Sequence, residues 1–416
     1  MRSQRILPTC ASYVAHAGPL VAALTLAAIP LAFSAIREAS TSSAVQALEV
    51  PKEILVKVAA ALLVLVAGVR YIRRDPLVKP PPLAVGVIVA FACFYTLAAV
   101  ISDDRVASTA ALQQIGVFTV FAIAAIIVPG VARWGITGLA VAGGIVAVMV
   151  LAQVLGFELR GWRDVEAMVS PAASFMHRNR AACLVALSIP VALSWRSRWA
   201  YAALPLLASA LVVTRSRGAW IVALVGVIVF VVFDSRARKA ALARCTVVAA
   251  ASVIAAALAW SAGHQSDTLE TRILHDYGSV RARWKLWDAA VAVIADHPLF
   301  GAGPGQFAAA AARHHAGPLP SLQADDEILA TASEAGIPAA ACLVALALMA
   351  ATVSIIGGRR ARDSNAAMLC AIVCALIAAS LPEALVRQGA YSAIAGLVIG
   401  AGVAGGHMSR AGPRRC

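Results

Sequence analysis

Leu83-Ala-Val-Gly-Val-Ile-Val-Ala-Phe-Ala-Cys-Phe-Tyr-Thr-Leu-Ala-Ala-Val-Ile101 is nineteen residues long and carries no charge. A helix of that length rises about 28 Å, close to the thickness of a bilayer's hydrocarbon core. The run does not alternate in polarity, so it is no barrel strand. A helix also satisfies its own backbone hydrogen bonds, which lipid demands. The same reading extends in both directions. Apolar runs recur near 18–36, 54–71, 111–128, 135–155, 181–195, 199–214, 219–233, 245–262, 335–356, 366–381 and 390–406, making twelve expected spans with 83–101. The composition agrees: 61% of the 416 residues are hydrophobic and 13% charged, where a soluble domain is about a quarter charged. The sequence predicts an all-α, polytopic transmembrane helix bundle.

Charge placement gives that bundle a direction. With the N-terminus in the cytoplasm, the inner segments hold Arg2/Arg5, Arg70/Arg73/Arg74/Lys79, Arg133, Arg196/Arg198, Arg236/Arg238/Lys239/Arg244, Arg359/Arg360/Arg362 and Arg410/Arg414/Arg415. Against these nineteen basic residues stand three acids, Asp75, Asp234 and Asp363. Every second loop is basic, as the positive-inside rule requires, and both termini are expected inside. The net charge of +14 thus follows from topology; aromatic residues do not interleave with the basic runs, so no nucleic-acid partner is expected. Ala32-Phe-Ser-Ala35 resembles a signal-peptidase site, but the spans that follow favour an uncleaved anchor. The eight cysteines form no CxxC pair, and neither a zinc site nor a disulfide framework is suggested.

Three parts are expected: residues 1–262 with nine spans, a long extracytoplasmic loop over 263–334, and residues 335–416 with three spans and a cytoplasmic tail. Loops this long are commonly functional. Within it Val280, Trp284, Trp287, Val291 and Ile294 recur at spacings of three and four, which predicts an amphipathic helix over 280–297 suited to the headgroup layer. A shorter polar loop, 156–180, ends in His177-Arg-Asn-Arg180.

The outward side should be poor in arginine, yet it gathers arginines that topology does not explain. Arg215 and Arg217 lie between two spans joined by almost no loop. Guanidinium groups there either snorkel to lipid phosphates or meet an anionic ligand. Arg283, four residues before Trp287 on one helical face, is a surface charge or a second anion contact. His177, Arg178, Asn179 and Arg180 are interfacial anchors or substrate contacts. Gly301-Ala-Gly-Pro-Gly305 lacks the strand and GK[ST] ending of a phosphate loop and reads as a tight turn. His314 and His315 read as plain loop residues, with metal binding or a role as base the alternative. Asp325-Asp326-Glu327 reads as a solvated cap of the next helix, with a carboxylate base or a metal site the alternative. No metal site and no cofactor are expected.

The motifs, in order, resemble those of the O-antigen ligase and polymerase superfamily of bacterial inner membranes. Leu48-Glu-Val-Pro-Lys-Glu-Ile-Leu55, Ser174-Phe-Met-His-Arg-Asn-Arg-Ala-Ala182, Ser216-Arg-Gly-Ala-Trp220, Arg283-Trp-Lys-Leu-Trp287 with His297-Pro-Leu-Phe-Gly-Ala-Gly-Pro-Gly-Gln-Phe307, and Glu334-Ala-Gly-Ile-Pro338 each look like a recurring stretch of that family. The resemblance implies a metal-independent enzyme of the periplasmic face. It would pass a glycan from undecaprenyl diphosphate to a lipid A–core or glycan acceptor. It also implies that Arg217 and Arg283 hold the diphosphate, with Arg215, the 177–180 segment and Trp287 around the substrate. One departure stands out. Where the family has a histidine, this chain has Asp325. Asp325 serves as the base, or His314 or His315 reaches the site, or activity is altered. A flippase of a lipid-linked glycan and an inactive assembly subunit are the alternatives.

Overall fold

Long apolar runs leave the backbone no partner but itself, and the chain folds as helices. The computed structural model describes residues 8–33, 48–157, 172–175, 177–195, 197–234, 238–262, 269–314, 324, 326–361, 364–381, 383, 386 and 389–405. Among these residues there are fourteen α-helices. They are α1 (Pro8–Ala28), α2 (Val50–Ile72), α3 (Pro82–Ile101), α4 (Arg105–Ile127), α5 (Val131–Val154), α6 (Arg178–Ser194) and α7 (Trp199–Val213). Then come α8 (Arg217–Phe233), α9 (Arg238–Ala262), α10 (Leu269–Asp296), α11 (Phe307–Ala311), α12 (Glu327–Ala361), α13 (Ser364–Ser380) and α14 (Ala390–Ala404). Five segments, Val50–Ile72, Pro82–Ile101, Arg105–Ile127, Val131–Val154 and Glu327–Arg360, are long and apolar enough to cross a membrane, and α7, α8, α13 and α14 are shorter apolar helices.

Each stretch read as a span overlaps a helix. The first, expected over 18–36, is α1, closed by a 3-10 turn at Ile29–Leu31. The amphipathic helix expected over 280–297 begins further back, at Leu269. His315, Asp325 and most of the 156–180 loop lie outside the described residues, as does Ser34-Ala35 of the cleavage-like stretch.

Side chains sort the helices into centre and rim. Every residue of α14 is buried, and α6 is buried from Ala181 to Leu193. A helix apolar on all sides belongs in the middle of a bundle. The rim differs: Leu224, Ile228 and Val232 line an exposed face of α8, and Val58, Leu62 and Leu65 one of α2. Contiguous exposed apolar faces of this kind suit lipid rather than water. At the centre small residues let backbones approach. Gly396 and Gly400, one turn apart on α14, face the carbonyls of Phe118 and Ala122 so closely that a Cβ at either would overlap them.

Bonds between helix ends show that the helices alternate in direction. At one end, Glu49 before α2 pairs with Arg180 on α6, and Ser108 on α4 bonds the Pro304 carbonyl at 3.0 Å. At the other end, Ser364 opening α13 donates to Asp234 after α8 at 2.8 Å, and the Val78 amide donates to the Ile127 carbonyl closing α4 at 2.9 Å. The first end carries the predicted site residues that are described. The second carries Arg73, Arg74, Lys79, Arg133, Arg198, Lys239, Arg359 and Arg360.

Helix α12 is interrupted where the outward loop was expected to give way to a span. Gly336 takes φ +87° and ψ 166°, dividing α12 into a short first segment and a long second one. The Gly301–Gly305 turn seats against this break. Ala302 N–H donates to the Ser333 carbonyl at 2.8 Å, Gly303 N–H to the Glu334 carbonyl at 3.1 Å, and Ile337 N–H to the Pro298 carbonyl at 2.8 Å. The buried Glu334 carboxylate accepts the Gly305 N–H at 2.5 Å. Any Cβ at Gly336 would overlap the Leu299 carbonyl. Gly336→Ala is therefore expected to destabilise the protein by about 1–3 kcal/mol through backbone conformation alone, with the clash adding to it. Gly144→Ala, on α5 with open space around it, is the control. Thermal unfolding of the purified protein in detergent should show a lowered midpoint for the first variant and none for the second.

Candidate active site

The turn between α7 and α8 is Thr214-Arg-Ser216, and it is tied down from within. Thr214 Oγ1 donates to the Leu211 carbonyl at 2.7 Å, and Trp220 Nε1 reaches back to the same carbonyl at 3.1 Å. Arg215 sits at φ +54°, a left-handed conformation that costs a non-glycine residue about 1–2 kcal/mol. Its side chain and that of Arg217, the first residue of α8, are exposed. Ser216 occupies the N-cap of α8. A serine there ordinarily accepts from the helix's own amides, worth about 1 kcal/mol. Here its side chain makes no cap bond; the hydroxyl donates instead to Asn179 Oδ1 at 3.0 Å.

That bond brings the start of α6 beside the start of α8. Asn179 is engaged at both ends of its amide, since Nδ2 donates to Glu383 Oε1 at 2.8 Å. His177 is the N-cap of α6 and makes no side-chain cap bond either. Burial, then the neighbouring Arg180, push its imidazole below the ordinary histidine value, so it is neutral at pH 7. Arg180 pairs with Glu49 at 3.2 Å, and its carbonyl accepts the Tyr391 hydroxyl of α14. Under this layer lies Lys52, fully buried, donating to the carbonyls of Leu48 and, at 2.6 Å, Ser174. Its ammonium stands 4.9 Å from the centre of the Phe175 ring.

Two helix N-termini thus open at one place. Neither first turn holds an acid; instead they hold Arg178, Arg180 and Arg217. A helix N-terminus carries partial positive charge, so arginines there oppose the dipole and raise the local potential further. Glu49 offsets one of them.

Helix α10 has a small core of its own. Leu286, Ala289, Ala290 and Val293 pack on Phe307, Ala310 and Ala311 of α11, on Ala324, and on Ala330 of α12. Arg283 is half-buried one turn before Leu286; Arg281, Lys285 and Asp288 are exposed. The Trp284 and Trp287 rings meet edge to face at 5.3 Å. The indole Nε1 of Trp287 is buried with no hydrogen-bond partner among the described residues. At the end of α10, Asp296 Oδ2 meets His314 Nε2 at 2.9 Å.

The acidic triplet divides its work. Asp326 caps α12, accepting from the amides of Ile328 and Leu329, each at 2.9 Å. Burial pushes its carboxyl up, and those two amides oppose the shift. Glu327 is buried and accepts the Val386 N–H at 2.7 Å. The segment next to Asp325 is therefore joined to the connection that Glu383 joins to Asn179. Among the described residues no group of three or more His, Cys, Asp or Glu is placed to hold a metal ion.

Of the residues expected at the site, His177, Arg178, Asn179, Arg180, Arg215 and Arg217 come together at the ends of α6 and α8. Arg283 and Trp287 lie on α10, and His314 pairs with Asp296. Sequence reading missed Glu49, Lys52 and Glu383 as members of this end; Glu327 stood in the acidic triplet, but its bond to the Val386 amide was not foreseen. Glu49 and Lys52 stood in a motif already noticed; an acid at 383 gives no signal of its own. None of the curated proteins matches the chain. Residues 202–344, from α7 into α12, match the family described as O-Antigen ligase, the same family that the ordered motifs resemble.

Proposed function

We propose that this protein transfers a glycan from undecaprenyl diphosphate to a lipid A–core or glycan acceptor at the periplasmic face of a bacterial inner membrane. The observation that carries the reading is the convergence of two uncapped helix N-termini with Arg178, Arg215 and Arg217 around them. Helix N-termini bind phosphate through their free amides and dipole. Arginine adds a permanent, forked cation matched to phosphate oxygens. Arg215 keeps a strained backbone at this spot, a feature that clusters at functional sites. The far end of the bundle is rich in Arg and Lys, which supports reading this end as the extracytoplasmic one.

In this reading Arg217 and Arg283 hold the donor diphosphate, with Arg215 and the 177–180 segment at its mouth. The acceptor hydroxyl oxygen bonds to the glycan's anomeric carbon as the bond from that carbon to the phosphate oxygen breaks. The electron pair leaves with the diphosphate, where fixed cations stabilise the growing charge. Asp325 takes the hydroxyl proton, as a carboxylate in the right place can. His314, oriented by Asp296, is the alternative base. Trp287 offers a buried, unused N–H and an aromatic face to a sugar ring.

A deletion strain separates transfer from transport. The expected result is accumulation of lipid-linked glycan on the outer leaflet, with less glycan on the final acceptor. Loss of the outer-leaflet donor would assign the protein to transport instead.

A further inference from the structure

We infer that Asn179 is a positioning residue for the donor's diphosphate: it takes the capping hydroxyl of Ser216, is itself held by Glu383, and so sets the place of Arg217. The inference rests on the proposed donor site and names how that site is kept in shape. Three observations carry it. Ser216 is the N-cap of α8 and makes no cap bond; its hydroxyl donates across to Asn179 Oδ1 at 3.0 Å. Asn179 has no amide atom to spare for rotation, since Nδ2 is committed to Glu383 Oε1 at 2.8 Å. Arg217 follows Ser216 directly, so the backbone fixed by that hydroxyl is the backbone from which its guanidinium extends.

The arrangement does two things that a cap would not. It leaves the first amides of α8 free of a side-chain acceptor, as an anion site needs. It also locks the α7–α8 turn to α6 across a sequence separation of thirty-seven residues. Position matters here because the strength of an oriented charge contact falls off over a fraction of an ångström, and small misplacements of binding groups cost large factors.

The test is a double-mutant cycle on binding of undecaprenyl diphosphate to the purified full-length protein in nanodiscs. Asn179→Ala and Ser216→Ala should each weaken binding about tenfold. Placed on Arg217→Ala, Asn179→Ala should cause no further loss, because its effect passes through that arginine. Glu383→Ala should resemble Asn179→Ala, and Glu383→Gln, which keeps an accepting oxygen, should recover most of the affinity. Thermal unfolding of each variant is read alongside; if Asn179→Ala does not fold, the milder Ser216→Ala carries the same cycle. Unchanged binding in the Asn179 and Ser216 variants, or a fully additive loss on top of Arg217→Ala, would overturn the inference. If Arg217→Ala itself binds like the wild type, the donor-site reading fails first.

Discussion

Arg217→Ala is expected to lower glycan transfer by about 10²- to 10³-fold, the effect of removing one fixed charge-stabilising donor from a transition state. The protein should nonetheless fold. Arg217 is exposed and stands in the first turn of α8, where its charge opposes the helix dipole. Its removal relieves that opposition and also takes away the contacts the exposed side chain makes, so stability should change by no more than about 1 kcal/mol in either direction, given solvent screening. Activity and stability thus move independently, which distinguishes a ligand-facing arginine from a structural one. Arg217→Lys should fall between, keeping the charge but losing the planar fork. Surface polysaccharide on gels, normalised to protein in the membrane, reads the first effect; unfolding in detergent reads the second.

The second large effect is expected at Arg283, whose replacement by Ala should reduce transfer by about 10²-fold. The location explains why the bundle survives. Helix α10 buries Leu286, Ala289, Ala290 and Val293 in a small core shared with α11 and the start of α12, separate from the main core. Losing a half-buried arginine at the edge of that core leaves the main core's own packing in place. Arg281, two residues earlier and exposed, is the matched control. Arg281→Ala should transfer normally, because a helix rotates about 200° over two residues and faces it away. Equal losses in both variants would mean that α10 contributes charge in general, such as headgroup attraction, rather than a specific contact.

Much of the helical layout was legible because lipid forces a simple code. Long uncharged runs such as 83–101 became α3 and its equivalents; at 334–335, where a loop was expected to give way to a span, the chain is already helical from Glu327 and kinks at Gly336. The Gly301–Gly305 stretch is the turn it looked like, since its glycines permit backbone-to-backbone seating on Ser333 and Glu334. The start of α10 was not legible. Residues 269–279 mix Glu, Arg, His, Asp and Gly with a few apolar side chains, and no periodic face marks them as helix.

The site was half legible. Arginines between outward spans are costly enough to be noticed in a sequence. Their supports are not. Glu49 with Arg180, Asn179 with Glu383, and Glu327 with the Val386 amide join residues that are 59 to 204 positions apart. A lone acid in a polar loop reads as solvated until the fold supplies its partner. The same holds for Lys52, whose burial beneath Phe175 is set by the packing of α2 against its neighbours and not by any spacing along the chain.

The most direct measurement is a cryo-electron microscopy map of the protein in a nanodisc with undecaprenyl diphosphate. Density for the two phosphates should lie at the joined ends of α6 and α8, within hydrogen-bonding reach of Arg217 and facing Arg283 on α10. Phosphate density at the opposite end of the bundle, among Arg73, Arg133 and Arg359, or a bound lipid that touches neither arginine, would contradict the account.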